Sequence, residues 1–191
     1  MIPNSGMTTP AVAELASDEQ LMLDFQQGSR EAFSELFERY RDLVFGFFRR
    51  RLDPSERAEE LAQETFLAVI QASQRYEPRS AFRAYLFGIA FKLMAADRRK
   101  HPTDSNESRA SQEPSACEGV DEGLWVRQAL GRLDDQDREI LLLREYEQLS
   151  YADIARLLRL PINTVRSRLF RARMALKDAL IPEQGSNRGA A

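Results

Sequence analysis

A chain of 191 residues with 43% hydrophobic side chains can bury a core, which excludes a disordered or fibrous polypeptide. Its 27 basic and 30 acidic residues leave a formal net charge of -3; the single Cys117 excludes an intramolecular disulfide, and the single His101 leaves no Cys/His set for a structural metal. No apolar run approaches the roughly eighteen residues of a membrane span, and residues 1–20 lack a basic segment followed by an apolar one, so a cytoplasmic protein is expected.

Apolar residues recur at helical spacing along almost the whole chain, and alternating Val/Ile/Thr stretches are absent, which predicts an all-α fold. After a flexible N-terminus (1–17), a short helix ends at Gly28. Ser29 caps the next, with Phe33, Leu36, Phe37, Tyr40, Leu43, Val44 and Phe47 at core spacing. Asp53 as N-cap and Pro54 at the first helical position restart the chain into Ala58, Leu61, Ala62, Thr65, Phe66 and Val69. Pro78 breaks that pattern and Ser80 opens a further helix, in which Phe82, Leu86, Ile89, Ala90 and Leu93 share a face. From Arg75 to Lys100, rings and cations interleave, a composition suited to holding unstacked single-stranded bases.

Residues 101–123 are rich in Ser, Pro, Gly and acids, with six acidic residues against the one base Arg109. They read as a flexible acidic linker, a soluble spacer or a transient cover for a basic surface. Helical pattern resumes at Leu124 and runs to about Leu180, and residues 182–191 read as a frayed tail. Two domains follow, 18–100 and 124–181. Neither contains a Gly-rich phosphate loop or a nucleophile elbow, and the carboxylates are spread over helix faces. No catalytic residue, bound metal or cofactor is expected, and the protein is not read as an enzyme.

The second domain carries the more specific pattern. Ser150 and Asp153 have capping-box spacing before a short helix with Ile154, Ala155 and Leu158 inward. After the turn "RLPI", a second helix places Ile162, Val165, Leu169, Ala172 and Leu176 on one apolar stripe. Asn163, Thr164, Ser167 and Arg171 lie opposite it, with Arg166, Arg168 and Arg173 on the flanks. Between 159 and 177 there are six basic side chains and no acid. A short helix, a tight turn and a polar, cationic second helix match the helix-turn-helix plan for duplex DNA. On this pattern alone the chain reads as a DNA-binding protein, such as a stand-alone helix-turn-helix regulator with a sensing or dimerising first domain, or as an adaptor whose two domains both bind proteins.

"LSYADIARLLRLPINTVRSRLFRAR" (149–173), with "EELAQETF" (59–66) and "FRAYLFGIA" (82–90), resembles the extracytoplasmic-function group of bacterial RNA polymerase sigma factors, over about residues 18–180 and with the three motifs in the family's order. The resemblance implies two all-α domains, sigma region 2 and sigma region 4. It implies an alternative sigma factor that binds core RNA polymerase through the β′ clamp helices and the β flap, directs it to promoters, and is held by an anti-sigma factor. In this chain the core-polymerase contacts would be Glu60, Leu61, Gln63 and Glu64, with Phe66 buried. The minus-ten element would meet Arg75, Tyr76, Arg79, Arg83, Tyr85, Phe87, Phe91, Lys92, Arg98 and Arg99. The minus-thirty-five element would be read by Asn163, Thr164, Arg166, Ser167 and Arg171, with Arg168 and Arg173 on phosphates. On polymerase the protein would sit on the nucleoid.

The sequence departs from the family pattern at five places. Tyr85 stands for a frequent Trp and Lys92 for a common Asn; a lysine donates but cannot accept, so base preference at minus-ten should differ. Ala96 replaces a frequent Asp, with Asp97 next door as a possible substitute. Arg159 replaces the usual turn Gly, which implies a left-handed arginine or a different turn. Asp134 replaces a usual Pro and is itself a good N-cap.

Overall fold

Local side-chain caps start four of the helices in the computed structural model, which describes residues 16–52, 55–101 and 120–180. Among the described residues there are eight α-helices and no strand. They are α1 (Asp18–Gln26), α2 (Arg30–Arg49), α3 (Ser55–Ala72) with a 3-10 turn (Ser73–Arg75), α4 (Phe82–Lys100), α5 (Val120–Gly131), α6 (Asp135–Glu145), α7 (Tyr151–Leu158) and α8 (Ile162–Leu180). The Asp53/Pro54 helix start, nearly all of the N-terminal segment, the linker up to residue 119 and the tail lie outside the described residues. Helix α5 begins at Val120, inside the stretch expected to be linker.

Ser17 caps α1 by accepting the Gln20 N–H at 3.2 Å, and Ser29 caps α2 by accepting the Ala32 N–H at 3.2 Å. Between them Gly28 sits at φ +108°, a conformation that disfavours any side chain. Its N–H reaches the Phe25 carbonyl at 2.9 Å while the Ser29 N–H reaches that of Asp24 at 3.0 Å, so both orphan carbonyls are satisfied by a Schellman motif. Asp134 caps α6 through the Gln136 N–H at 3.0 Å.

Helix α4 starts differently from the expectation. Its N-cap is Ala81, which offers no side-chain acceptor, and the Glu19 carboxylate from α1 accepts the Phe82 N–H at 2.7 Å instead of Ser80 doing so. A carboxylate at a helix N-terminus also meets the positive end of the helix dipole. Glu19→Ala is therefore expected to cost about 1 kcal/mol and lower the melting temperature of the first bundle by about 4–8 °C, while Ser80→Ala is close to silent; circular dichroism melts compare the two.

In the first bundle α2 packs on α1 and α3, and α4 packs on α1, α2 and α3. Met22, Leu36, Phe47, Phe48, Leu61, Phe82, Leu86, Phe87 and Met94 are fully buried there. Each such side chain contributes roughly 1.5–3 kcal/mol by leaving water. Polar ties fix the helices in register. Tyr40 of α2 donates its hydroxyl to Asp18, and Arg39 reaches the same carboxylate at 2.6 Å. Burial first, and then the Asp18 carboxylate, raise the Tyr40 phenol above its ordinary range and keep it protonated. In the second bundle α8 packs on α5, α6 and α7 around Ile140, Leu143, Ile154, Val165 and Leu169.

Candidate nucleic-acid interface

Ser150 accepts the Asp153 N–H at 3.1 Å and donates its hydroxyl to the Asp153 carboxylate at 2.5 Å, which starts α7 where the capping-box spacing predicts. The helix ends at Arg159, whose φ of 55° and ψ of 44° are left-handed. The absent turn glycine thus leaves the turn geometry intact, with an arginine in a conformation that disfavours a Cβ. The Leu160 N–H returns to the Ala155 carbonyl at 3.0 Å, and the Val165 N–H reaches that of Pro161 at 3.1 Å, so α8 begins directly after the turn.

On α8, Val165, Leu169 and Ala172 are buried and Leu176 is half-buried. Ile162, predicted to share that stripe, is exposed at the helix start. Asn163, Arg166, Ser167 and Arg171 are exposed on the other side and Thr164 is half-buried. Arg166 donates to the Asn163 side-chain oxygen at 3.3 Å, so two groups able to read base edges are held together at the first turn. The flanking cations are engaged. Arg168 binds Asp137 of α6 at 2.9 Å, and Arg173 binds Glu145 through two nitrogens at 3.0 and 2.6 Å. Donating to the Glu145 carboxylate raises the Arg173 pKa further above its ordinary value. A phosphate at either guanidinium would compete with an acid on α6, and a partly exposed pair of this kind is worth only about 0–1 kcal/mol.

The first bundle carries the other two candidate surfaces. On α3, Glu60, Gln63 and Glu64 are exposed, and Arg57 holds Glu60 at 2.5 Å. Leu61, expected beside them, is 1% exposed and belongs to the core. Its spacing from Ala58, Thr65 and Phe66 puts it on the inner side, so it cannot touch a partner; Phe66 is buried as anticipated. Leu67, 55% exposed and seven residues after Glu60, continues the outer face. Sequence reasoning passed over it because an apolar residue in an amphipathic helix reads as core.

The aromatic and basic set from Arg75 to Arg99 divides. Tyr76 is buried against Tyr85, with ring centroids 5.1 Å apart, and against Phe82 at 6.2 Å. Burial pushes its phenol up to about 12, and its hydroxyl oxygen is buried without a hydrogen-bond partner. Phe87 is fully buried, 5.7 Å from the Phe47 ring of α2. Neither ring can stack on a base, and both leave the minus-ten set: the inner face of α4 runs through Phe82, Leu86, Phe87, Ala90 and Met94, rotated from the predicted stripe because α2 presents Phe47 to Phe87. Phe91 and Arg98 are half-buried on the flank. Arg83 is turned inward, 5.3 Å from the Tyr40 ring and 3.4 Å from the Glu147 carbonyl.

Lys92 and Arg99, seven residues apart, are exposed on the outward side of α4, with Arg75 and Arg79 exposed in the preceding segment; Tyr85, seven residues before Lys92, is half-buried, its ring 6.1 Å from that of Phe82. Asp97, the neighbour of the substituted Ala96, is buried and bound by the Arg57 Nε at 2.8 Å. It ties α3 to α4 and is not available to DNA. Hydrogen bonds that Arg57 donates to Asp97 and then to Glu60 raise its pKa, which keeps the tie charged. Trp125, Phe170 and Met174 are exposed apolar side chains of the second bundle.

The family model for sigma-70 region 2 matches residues 36–101, and that for sigma-70, region 4 matches residues 123–176. The chain is 34% identical over 182 residues to the RNA polymerase sigma-H factor of Pseudomonas aeruginosa, covering 86% of this chain and 94% of that protein. It is 31% identical over 188 residues to the ECF RNA polymerase sigma-E factor of Escherichia coli (strain K12), covering 90% and 98%. Among solved structures, CnrH in complex with the cytosolic domain of CnrY aligns with a TM-score of 0.66 at 27% identity, over 86% of this chain and 97% of that one. The sigma factor RpoE from Bartonella quintana shares the fold, with a TM-score of 0.64 at 24% identity over 80% and 98%. The chain belongs to the sigma-70 family of RNA polymerase sigma factors, in its extracytoplasmic-function group, and directs transcription initiation.

Proposed function

We propose that this sigma factor reads the minus-thirty-five element with Asn163, Thr164, Arg166, Ser167 and Arg171 in the major groove, anchored on phosphates by Arg168 and Arg173. The observation that carries this reading is the face of α8: polar and cationic groups exposed opposite the buried Val165, Leu169 and Ala172. The melted minus-ten element lies along Arg75, Arg79, Tyr85, Lys92 and Arg99, with Phe91 and Arg98 at its margin. Stacking on Tyr85 and the charge of the cations hold the displaced strand. Domains 18–100 and 124–181, joined by the acidic linker, each bind weakly and gain affinity from the tether. The β′ clamp helices of core polymerase meet Glu60, Gln63, Glu64 and Leu67, and the β flap meets the second domain. An anti-sigma factor covers one or both surfaces until it is released. The protein acts in the cytoplasm, on the nucleoid when bound to polymerase, and its role is not enzymatic.

Transcription on a genomic fragment library, with core polymerase alone and with core plus this protein, tests the proposal. New start sites that share two spaced upstream elements are expected. Tight duplex binding without polymerase and no new starts would instead describe a stand-alone regulator. The acidic face of α3 suits a partner coiled coil carrying basic residues, so Glu60→Lys with Glu64→Lys is expected to weaken core binding by at least about tenfold, since like charge across an interface costs several kcal/mol. Co-elution with core at increasing protein concentration measures it, and unchanged binding moves the contact elsewhere.

A further inference from the structure

The turn between α7 and α8 is closed by a residue whose side chain the fold does not use. Arg159 is left-handed, at φ 55° and ψ 44°, where a Cβ crowds the following carbonyl and glycine is the unstrained choice. Gln148 is also left-handed, so strain by itself marks nothing; the two differ in what the side chain carries and where it stands. The Arg159 guanidinium is exposed and has no hydrogen bond or ion pair among the described residues. Its cationic neighbours are engaged: Arg156 is held by Asp153, Arg168 by Asp137 and Arg173 by Glu145. A phosphate approaching any of those competes with a carboxylate already in place, whereas Arg159 offers its whole charge and all its N–H donors.

Its place in the chain is equally particular. Only Leu160 and Pro161 separate Arg159 from the first residue of α8, and Asn163 follows directly after that residue. The chain from Arg159 to Asn163 spans at most about 14 Å, close to the ~12 Å width of the major groove. With Asn163 at the base edges, Arg159 therefore stands at the rim of the groove, where the phosphates lie. The backbone that carries it is fixed, since the Leu160 N–H is bonded to the Ala155 carbonyl of α7 and the Pro161 carbonyl accepts the Val165 N–H of α8.

We propose that Arg159 is a phosphate-binding residue of the promoter interface, gripping the duplex backbone beside the entry of α8 into the major groove. The inference rests on the α8 reading of the preceding subsection and adds to it a contact from outside the helix. Its ligand is the phosphodiester backbone, so it strengthens binding and fixes register without choosing a sequence. It also gives the strained turn a use beyond the fold: glycine would close the same turn without strain and present nothing to DNA. Arg168 and Arg173, which meet DNA only in competition with acids of α6, are joined by a cation that needs no such exchange.

Arg159→Gly, Arg159→Asn and Arg159→Lys, compared with Arg166→Ala/Arg171→Ala in the full-length chain assembled with core polymerase, test the contact. The probes are a promoter fragment recovered by the start-site mapping and the same fragment with its upstream element scrambled, with affinity followed between about 50 and about 200 mM salt. Glycine and asparagine accept the left-handed backbone and lack the charge. Both variants are expected to bind both fragments about tenfold more weakly, with the slope of log affinity against log salt shallower by about one. Their circular dichroism melts should lie at or above the parent's, and Arg159→Lys should restore the slope. The α8 variant is expected instead to lose discrimination between the fragments. Unchanged affinity and slope in the glycine and asparagine variants, with discrimination lost in the α8 variant, overturns the phosphate contact and leaves the α8 reading standing. No effect in either set overturns both. A loss that lysine does not recover, that appears in only one of the uncharged variants, or that accompanies a lower melt in both, assigns Arg159 to the geometry of the turn and likewise overturns the proposal.

Discussion

Arg166→Ala together with Arg171→Ala is expected to reduce single-round transcription from minus-thirty-five-dependent promoters by about 30-fold to 10⁴-fold at fixed salt, with core binding retained. Each guanidinium that grips a base edge is worth about 1–3 kcal/mol, and every 1.4 kcal/mol is tenfold. Both side chains are exposed on α8, so their removal creates no cavity. Arg166 contacts Asn163 on its own helix, and Arg171 lies 3.9 Å from Asp137, which Arg168 still holds at 2.9 Å. The fold therefore survives, and the loss is one of recognition. Arg168→Ala forms the contrast: it removes the closer partner of Asp137 between α6 and α8, and so mixes stability with DNA affinity. Full transcription by the double variant would remove α8 from promoter recognition.

The helix-turn-helix was legible because its signals are local. A serine with an aspartate three residues on marks the start of α7, one apolar stripe orients α8, and the missing glycine at Arg159 left a left-handed arginine or a different turn, of which the structure contains the first. Helix α4 was legible as a helix but not in its orientation. Phe82, Tyr85, Leu86, Phe87, Ile89, Phe91 and Leu93 place apolar groups almost all round it, so a helical wheel cannot choose a face, and the choice falls to Phe47 on α2. Its cap was equally hidden, since Glu19 acts from 63 residues away. The same holds for Arg50 and Arg51: within "FFRRRLD" they look like a solvated basic run, and only the approach of Glu139 and Glu147 buries them. Leu61 was assigned outward by motif, and the packing of α3 on α2 and α4 assigns it inward.

Phe87→Ala separates these two origins of a residue's importance. The ring has no solvent exposure, lies 5.7 Å from Phe47, and Phe47 in turn lies 5.0 Å from Phe48. Deleting a phenyl group from such a site costs about 3–5 kcal/mol through lost burial and an unfilled cavity. Set against a total stability of about 5–15 kcal/mol, that brings the first bundle close to unfolding, with a fall in melting temperature of at least about 12 °C. Promoter opening and core binding should then fail together, because α3 and α4 lose the framework that presents both surfaces. Phe91→Ala, on the half-buried flank, should melt within a few degrees of the parent and impair opening alone. Circular dichroism melts beside core co-elution distinguish the two. An unshifted melt for Phe87→Ala with opening lost would return that ring to the DNA, and would require α4 to turn its inner face away from Phe47 when promoter is bound.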